Sequence, residues 1–278
     1  MKAEICNNTT NGLALQGLNH NSTCVILCIF GKRFTKLYDA PVGYDSYCFT
    51  NNEALCREAE KRGWKYIYIN FPLSDDFVES TLQVKYIKFL QFIKEERFSY
   101  FTRYKNIIVT DHKLELKSAH IEQFLQKNEK KILLKHHKSQ PTIRIWDEVE
   151  RSMLQERYLR NMPQTINYIN LKIKQGYSEY LCMPQCTIIL YQHNEPEVKK
   201  LVDEIYNDIM QWRMPNDQIV WGLVSQKYTD CIQMISWNKE IPIKWVNPEY
   251  KKPKFVLFLG DIIKLFVPYG ILKLLRWS

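Results

Sequence analysis

The 278-residue chain is 45% hydrophobic and 25% charged, a globular composition that excludes a disordered or fibrous chain and allows one large domain or two small ones. Its formal net charge of +9 favours anionic partners: nucleotides, phosphates, nucleic acid or anionic lipid. Eight cysteines occur without a CxxC pair or zinc-like Cys/His spacing, which argues against a metal-ribbon framework and for free thiols in a reducing cytosol.

Residues 1–22 are polar and rich in Asn, without the basic start and apolar core of a secretory signal; they read as a flexible N-terminus. Cys24 to Phe30 is a continuous apolar run, expected as a buried first strand that turns at Gly31-Lys32-Arg33. A second strand spans Tyr47 to Thr50. Asn52 is placed to cap a helix from Glu53 to Arg62 that stops at Gly63. Trp64 to Asn70 alternates like a third strand, and a basic helix follows from Ser80 or Thr81 to Lys94.

Ile107 to Thr110 then forms a strand that delivers Asp111 and Lys113 at its end. Ser118 precedes a helix over 119–127, and Ile132 to Leu134 is a short strand closing on His136-His137. Trp146 to Asn161 reads as a helix ended by Met162-Pro163, and Thr165 to Gln175 as another stopped by Gly176. Thr187 to Tyr191 is a strand, Pro196 to Trp212 a long amphipathic helix, and Asn216 opens a further helix to Ser225. Strands alternate with helices, so the expected class is α/β: a mostly parallel sheet flanked by helices. Such a domain would span residues 23–243.

Four places could carry chemistry. Backbone amides and basic side chains after the first strand can hold a diphosphate, although neither a GxGxxG nor a Walker motif is present. Asp111 can ligate a divalent metal or receive a sugar hydroxyl, while Lys113 can neutralise a phosphate as a point charge. Either His136 or His137 can contact substrate, because neighbours on a strand face opposite ways. Asp217, beside Gln218, can cap its helix or serve as a general base toward a hydroxyl.

In order, Cys28-Ile29-Phe30-Gly31, Tyr47 to Asn51, Tyr104-Lys105-Asn106 leading to Asp111, Lys135-His136-His137, Trp146 to Glu150, Ile189 to Val198 and Asn216-Asp217-Gln218 resemble one family. It is the glycosyltransferase-like family of bacterial surface-polysaccharide enzymes and plant TOD1/MUCI70-type proteins, and the likeness covers roughly residues 23–237. The resemblance implies a GT-A-like fold that binds a UDP- or GDP-linked sugar. It puts Phe30, Gly31 and Thr50 on the nucleotide, Lys88 by the diphosphate, and Asp111 on the sugar or on a metal such as Mn2+. It puts Asp217 at the acceptor hydroxyl as a catalytic group, with His136, His137 and Gln218 as acceptor or sugar contacts. Lys113 stands where a second acid would be expected, which leaves metal use open.

Residues 244–278 hold seven basic and two acidic residues. The apolar stretch 255–277 is broken by charges, Pro268 and Gly270, so it reads as an amphipathic helical segment resting on an anionic membrane face rather than crossing it. The resulting expectation is a cytoplasmic transferase, peripheral on the inner membrane face, acting on a cell-surface glycan or lipid-linked acceptor. The competing reading is a catalytically silent carbohydrate- or lipid-binding module on the same fold. No RNA- or DNA-binding motif accompanies the charge, so nucleic acid is disfavoured.

Overall fold

A computed structural model describes residues 22–32, 37–136, 142–153, 155–236, 241 and 243. The N-terminal residues 1–21, His137 and the basic C-terminal segment 244–278 lie outside the described residues.

Seven strands form the main sheet: β1 (Thr23–Ile29), β2 (Asp45–Thr50), β3 (Lys65–Tyr68), β4 (Asn106–Thr110), β5 (Ile132–His136), β8 (Pro184–Tyr191) and β9 (Ile232–Ile235), in the order β3-β2-β1-β4-β8-β5-β9. A separate antiparallel pair joins β6 (Thr142–Arg144) to β7 (Tyr180–Cys182). All main-sheet pairings are parallel except those of β8, which runs antiparallel to both β4 and β5. The architecture is mixed α/β, with a mostly parallel sheet flanked by helices.

The reason lies in the strand sequences. β1 is buried along its whole length, as a strand covered on both faces must be, and its apolar run shows no alternation. One face packs Ile26, Cys28 and Phe49 against helices α2 (Phe77–Lys88), α7 (Pro196–Trp212) and α8 (Asp217–Val224). The other packs Val25, Leu27 and Ile108 against α1 (Glu53–Lys61) and α3 (Ser118–Lys127). Between α2 and β4 the chain makes two 3₁₀ turns that insert Phe92, Phe98 and Phe101 under the sheet. Phe92 and Phe101 meet edge to face at 5.0 Å.

Several elements depart from the sequence reading for local reasons. The basic helix starts at Phe77 because the Asp76 side chain accepts from the Val78 and Glu79 amides. It ends at Lys88, ahead of Leu90, which takes a left-handed conformation (φ 57°). The stretch 146–161 holds two helices, α4 (Ile145–Met153) and the one-turn α5 (Glu156–Leu159). Met162-Pro163 opens α6 (Met162–Lys174) instead of ending its predecessor, since proline in a first turn forfeits no helical hydrogen bond. The antiparallel sense of β8 was not legible, because an apolar run does not encode direction.

That sense positions the site. The carboxyl ends of β1 and β4 and the beginning of β8 share one edge of the sheet. There the Asp111 amide donates to the Thr187 carbonyl at 2.8 Å. The pairing of β5 with β8 shifts register between Leu134 and Lys135, and the β8 residues at the shift, Gln185, Cys186 and Thr187, line a cavity at this edge.

Candidate active site

The cavity has a volume of about 420 Å³, within the range of small-molecule sites. Its walls come from the turn after β1 (Phe30, Lys32), helix α2 (Phe77, Lys85, Lys88), the end of β4 (Asp111, Lys113), α5 (Arg157, Tyr158), the start of β8, and the entry to α8 (Asp217, Gln218). Asp111 and Asp217, far apart in sequence, therefore share one cleft.

Asp217 is the electrostatic centre. Its Oδ2 lies 2.8 Å from Lys85 Nζ and 2.5 Å from Lys88 Nζ, and all three side chains are at most 14% exposed. Lys85 and Lys88 are three apart on α2, so they present on one helix face. Burial alone would raise the Asp217 carboxyl, but the two ammoniums outweigh it and hold it down at about 2. Lys85 is pushed below the ordinary lysine value by burial and by Lys88, despite its carboxylate partner. Lys88 is held above that value: burial opposes its charge, but Asp217 prevails. Two cations against one anion leave this wall net positive.

The triad is braced on both sides. The Tyr191 hydroxyl donates to the Lys88 carbonyl at 3.2 Å, tying the end of α2 to β8. Asn216 caps α8 by accepting from the Gln218 amide, and its own amide donates to Glu148 Oε1 at 3.1 Å and Ser152 Oγ at 2.8 Å. The Gln218 side chain donates to the Pro184 carbonyl at 2.7 Å.

Asp111 is partly exposed, at 28% of its side chain. Its Oδ1 accepts from the Lys113 amide at 3.1 Å and lies 3.0 Å from His112 Nδ1. Burial works against its charge, yet His112, Lys113 and Lys88 hold it well below the usual carboxylate range. It is ionised throughout the neutral range.

No cluster of metal ligands surrounds Asp111 among the described residues. The ionisable groups around Asp111 are His112, Lys113 and Lys88, and no group of three His, Cys, Asp or Glu side chains among the described residues converges enough to share a metal.

Of the residues singled out from the sequence, Phe30, Lys88, Asp111, Lys113, Asp217 and Gln218 line the cavity. Gly31, Thr50 and His136 do not. Thr50 is fully buried, and its hydroxyl accepts from the Asn52 amide at 3.0 Å, a turn-forming role. His136 sits on β5 opposite Pro184. Gly31 shapes the wall instead: its amide donates to Asn51 Oδ1 at 2.8 Å, and Asn51 Nδ2 donates in turn to the Pro72 carbonyl at 3.0 Å and to Gln83 Oε1 at 3.2 Å.

Gly31 has φ +91°, and a Cβ there would meet Ser80 Oγ at 2.3 Å and the Ser74 carbonyl at 3.0 Å. Gly43 has a similar φ, +84°, with nothing within 4 Å of a Cβ. Gly43→Ala should therefore cost about 1 kcal/mol of backbone strain and Gly31→Ala about 2–3 kcal/mol, the excess being steric. Urea denaturation of both variants checks this; equal losses would show that the Ser80 contact relaxes freely.

Among the cavity residues that the sequence reading did not single out as site candidates are Lys85, Arg157 and Tyr158. Lys85 had a signal. It continues the buried stripe Val78, Leu82 at the next helical step, a core position where a lysine demands a partner. Arg157 and Tyr158 sit on a one-turn helix and left none.

No protein-family model matches the sequence, and no curated protein sequence matches it. Among solved structures, the chain is similar to apo mouse xyloside xylosyltransferase 1, with a TM-score of 0.40 and 10% identity, over 83% of this chain and 99% of that one. It is also similar to the mannosyltransferase Ktr4p of S. cerevisiae, with a TM-score of 0.36 and 12% identity, over 80% of this chain and 70% of that one. Neither likeness is close enough to carry residue roles across. Among the described residues no helix is long and apolar enough to cross a membrane.

Proposed function

We propose that this chain is a glycosyltransferase that moves a sugar from a nucleotide-sugar donor to an acceptor hydroxyl. One observation carries the reading. A cavity of nucleotide-sugar size at the sheet edge has a buried wall with two lysines on a single carboxylate, facing a second carboxylate at a strand end. A wall with surplus positive charge suits a diphosphate. A partly exposed, permanently ionised Asp111 suits the hydroxyls of a bound sugar.

The chemistry follows from these roles. The bond from the anomeric carbon to the diphosphate oxygen breaks with its electron pair leaving on that oxygen, where Lys88 and Lys113 stabilise the developing charge. The acceptor oxygen bonds to the anomeric carbon, and its proton passes to a carboxylate in the cleft. Asp111 is the better placed of the two, because Asp217 already accepts from both ammoniums through one oxygen. Asp217 then acts as the counter-charge that fixes the lysines. The resemblance of the ordered segments to the surface-polysaccharide glycosyltransferase-like family supports the same reading. The apolar, basic-flanked stretch 255–277 supports a lipid-linked acceptor at an anionic membrane face.

A thermal-shift panel of UDP- and GDP-linked sugars tests the reading. One nucleoside diphosphate should raise the melting temperature by several degrees, with the same shift in EDTA, since lysines rather than a metal hold the phosphates. Asp111→Asn should retain that binding while turnover falls about 10²–10³-fold. Failure of every nucleotide to stabilise the protein would remove the proposal, and binding without any turnover in the wild type would assign the silent module instead.

A further inference from the structure

The mouth of the cavity carries a cation that the transfer reaction as described does not use. Arg157 lines the cavity from α5, and its guanidinium lies 5.4 Å from the Phe77 ring centroid and 4.5 Å from that of Tyr158. Its Nε donates to Gln155 Oε1 at 2.8 Å. Other cations around this face are neutralised: Lys32 by Asp75 at 2.7 Å, Arg160 by Asp76 at 2.8 Å, and Arg213 by Glu79. Among the described residues no carboxylate comes within ion-pair distance of Arg157.

Two rings beside a guanidinium fix its plane and partly dehydrate it without satisfying its N–H groups. A guanidinium held this way presents a planar fork, which matches a carboxylate or phosphate in bidentate fashion. Phe77 remains 43% exposed, leaving ring surface at the mouth on which the body of a sugar can pack. The donor diphosphate does not need this group. The inner wall already offers Lys85, Lys88 and Lys113, with Asp217 as the sole acid shared by the first two.

We infer that Arg157, held between Phe77 and Tyr158, forms an anion subsite at the cavity mouth, and that the acceptor is a saccharide bearing a carboxylate or phosphate. The inference rests on the glycosyltransferase reading and deepens it by naming the acceptor class. The surplus of basic residues in the chain is consistent with recruiting such a substrate.

The test uses the full chain saturated with whichever of UDP or GDP binds it. Glucose, glucuronate and glucose 1-phosphate are then titrated by calorimetry into the wild type, Arg157→Gln and Phe77→Leu. At least one anionic sugar should bind tenfold or more tightly than glucose. Arg157→Gln should erase that difference while nucleotide affinity stays within twofold. Phe77→Leu should weaken the same anionic sugar several-fold. Equal binding of charged and neutral sugars by the wild type overturns the subsite. So does a loss in Arg157→Gln that falls on the nucleotide, which would make the guanidinium a donor contact. If no nucleoside diphosphate binds the wild type, the glycosyltransferase reading itself fails, an outcome separate from the other two. Arg157 is partly exposed and outside the core, so unchanged melting curves in the absence of ligand are expected for Arg157→Gln.

Discussion

Asp217→Asn is expected to cost about 3–5 kcal/mol of folding stability at pH 7, because it strands two buried ammoniums without their counter-ion. The carboxylate is 9% exposed and touches both Lys85 and Lys88. Its charge is what makes their burial tolerable. In the wild type the sign of the pH dependence is set by the depressed Asp217 carboxyl, which sits at about 2 in the folded chain. Its contribution, about 2 kcal/mol, is fully present above the unfolded value near 4 and is lost as the pH falls through 2. In Asp217→Asn the sign is the same but the window moves to neutral and alkaline pH. Lys85, already pushed down by burial and by Lys88, loses its carboxylate and drops further. A lysine depressed in the fold leaves the unfolded chain binding more protons, so stability now rises as the pH is taken from 7 to 10. Adding Lys85→Met should restore a large part of the loss, since one uncompensated charge disappears. Urea denaturation across pH measures all three effects. A loss below 1 kcal/mol in Asp217→Asn would mean that water, not the carboxylate, carries the lysines' charge.

The sequence spoke clearly where one local rule sufficed. β1 declared itself by an unbroken apolar run, α7 by its helical period between Pro196 and Trp212, and α8 by the Asn216 cap. The place of Asp111 at the cavity was legible because a strand end is a local feature and the carboxyl ends of parallel strands open onto clefts. What failed were properties that exist only across distance. The ion pair of Lys88 with Asp217 spans 129 residues, and nothing near either residue announces the other. A lone acid at a helix start looks like a capping residue, and Lys88 on a basic helix looks solvated; only Lys85, on the Val78-Leu82 stripe, signals a partner without naming it. Thr50 misled because a polar residue at a strand end can face the ligand or fold back onto its own turn; here the Asn52 amide takes the hydroxyl. The 3₁₀ turns between α2 and β4 were missed for a different reason. Glu96–Arg103 carries charges around its aromatics, so only the tertiary fit of Phe98 and Phe101 reveals which side is core.

Lys88→Met should separate stability from activity. With Lys88 present, two ammoniums share one carboxylate; without it, Lys85 and Asp217 become a one-to-one pair at 2.8 Å. The methionine keeps most of the side-chain volume, and its burial near Tyr191 and Cys186 removes a desolvated charge rather than creating one. The folded state should lose about 1–3 kcal/mol, since Asp217 makes the Lys88 charge net stabilising, while the remaining Lys85–Asp217 pair stays compensated. Catalysis should suffer much more. If Lys88 meets the charge that develops on the departing diphosphate, its removal should lower kcat by about 10²–10³-fold. Nucleoside diphosphate affinity should fall less steeply, because Lys113 and Lys85 still line the cavity. Lys88→Arg is the companion variant: it keeps the charge but broadens the head group in a wall where Asp217 Oδ2 lies 2.5 Å from the native nitrogen. It should recover binding ahead of turnover. Single-turnover rates and urea midpoints on the two variants decide the matter. A Lys88→Met enzyme that turns over at the wild-type rate would leave the paired lysines as scaffolding alone and move leaving-group stabilisation to Lys113.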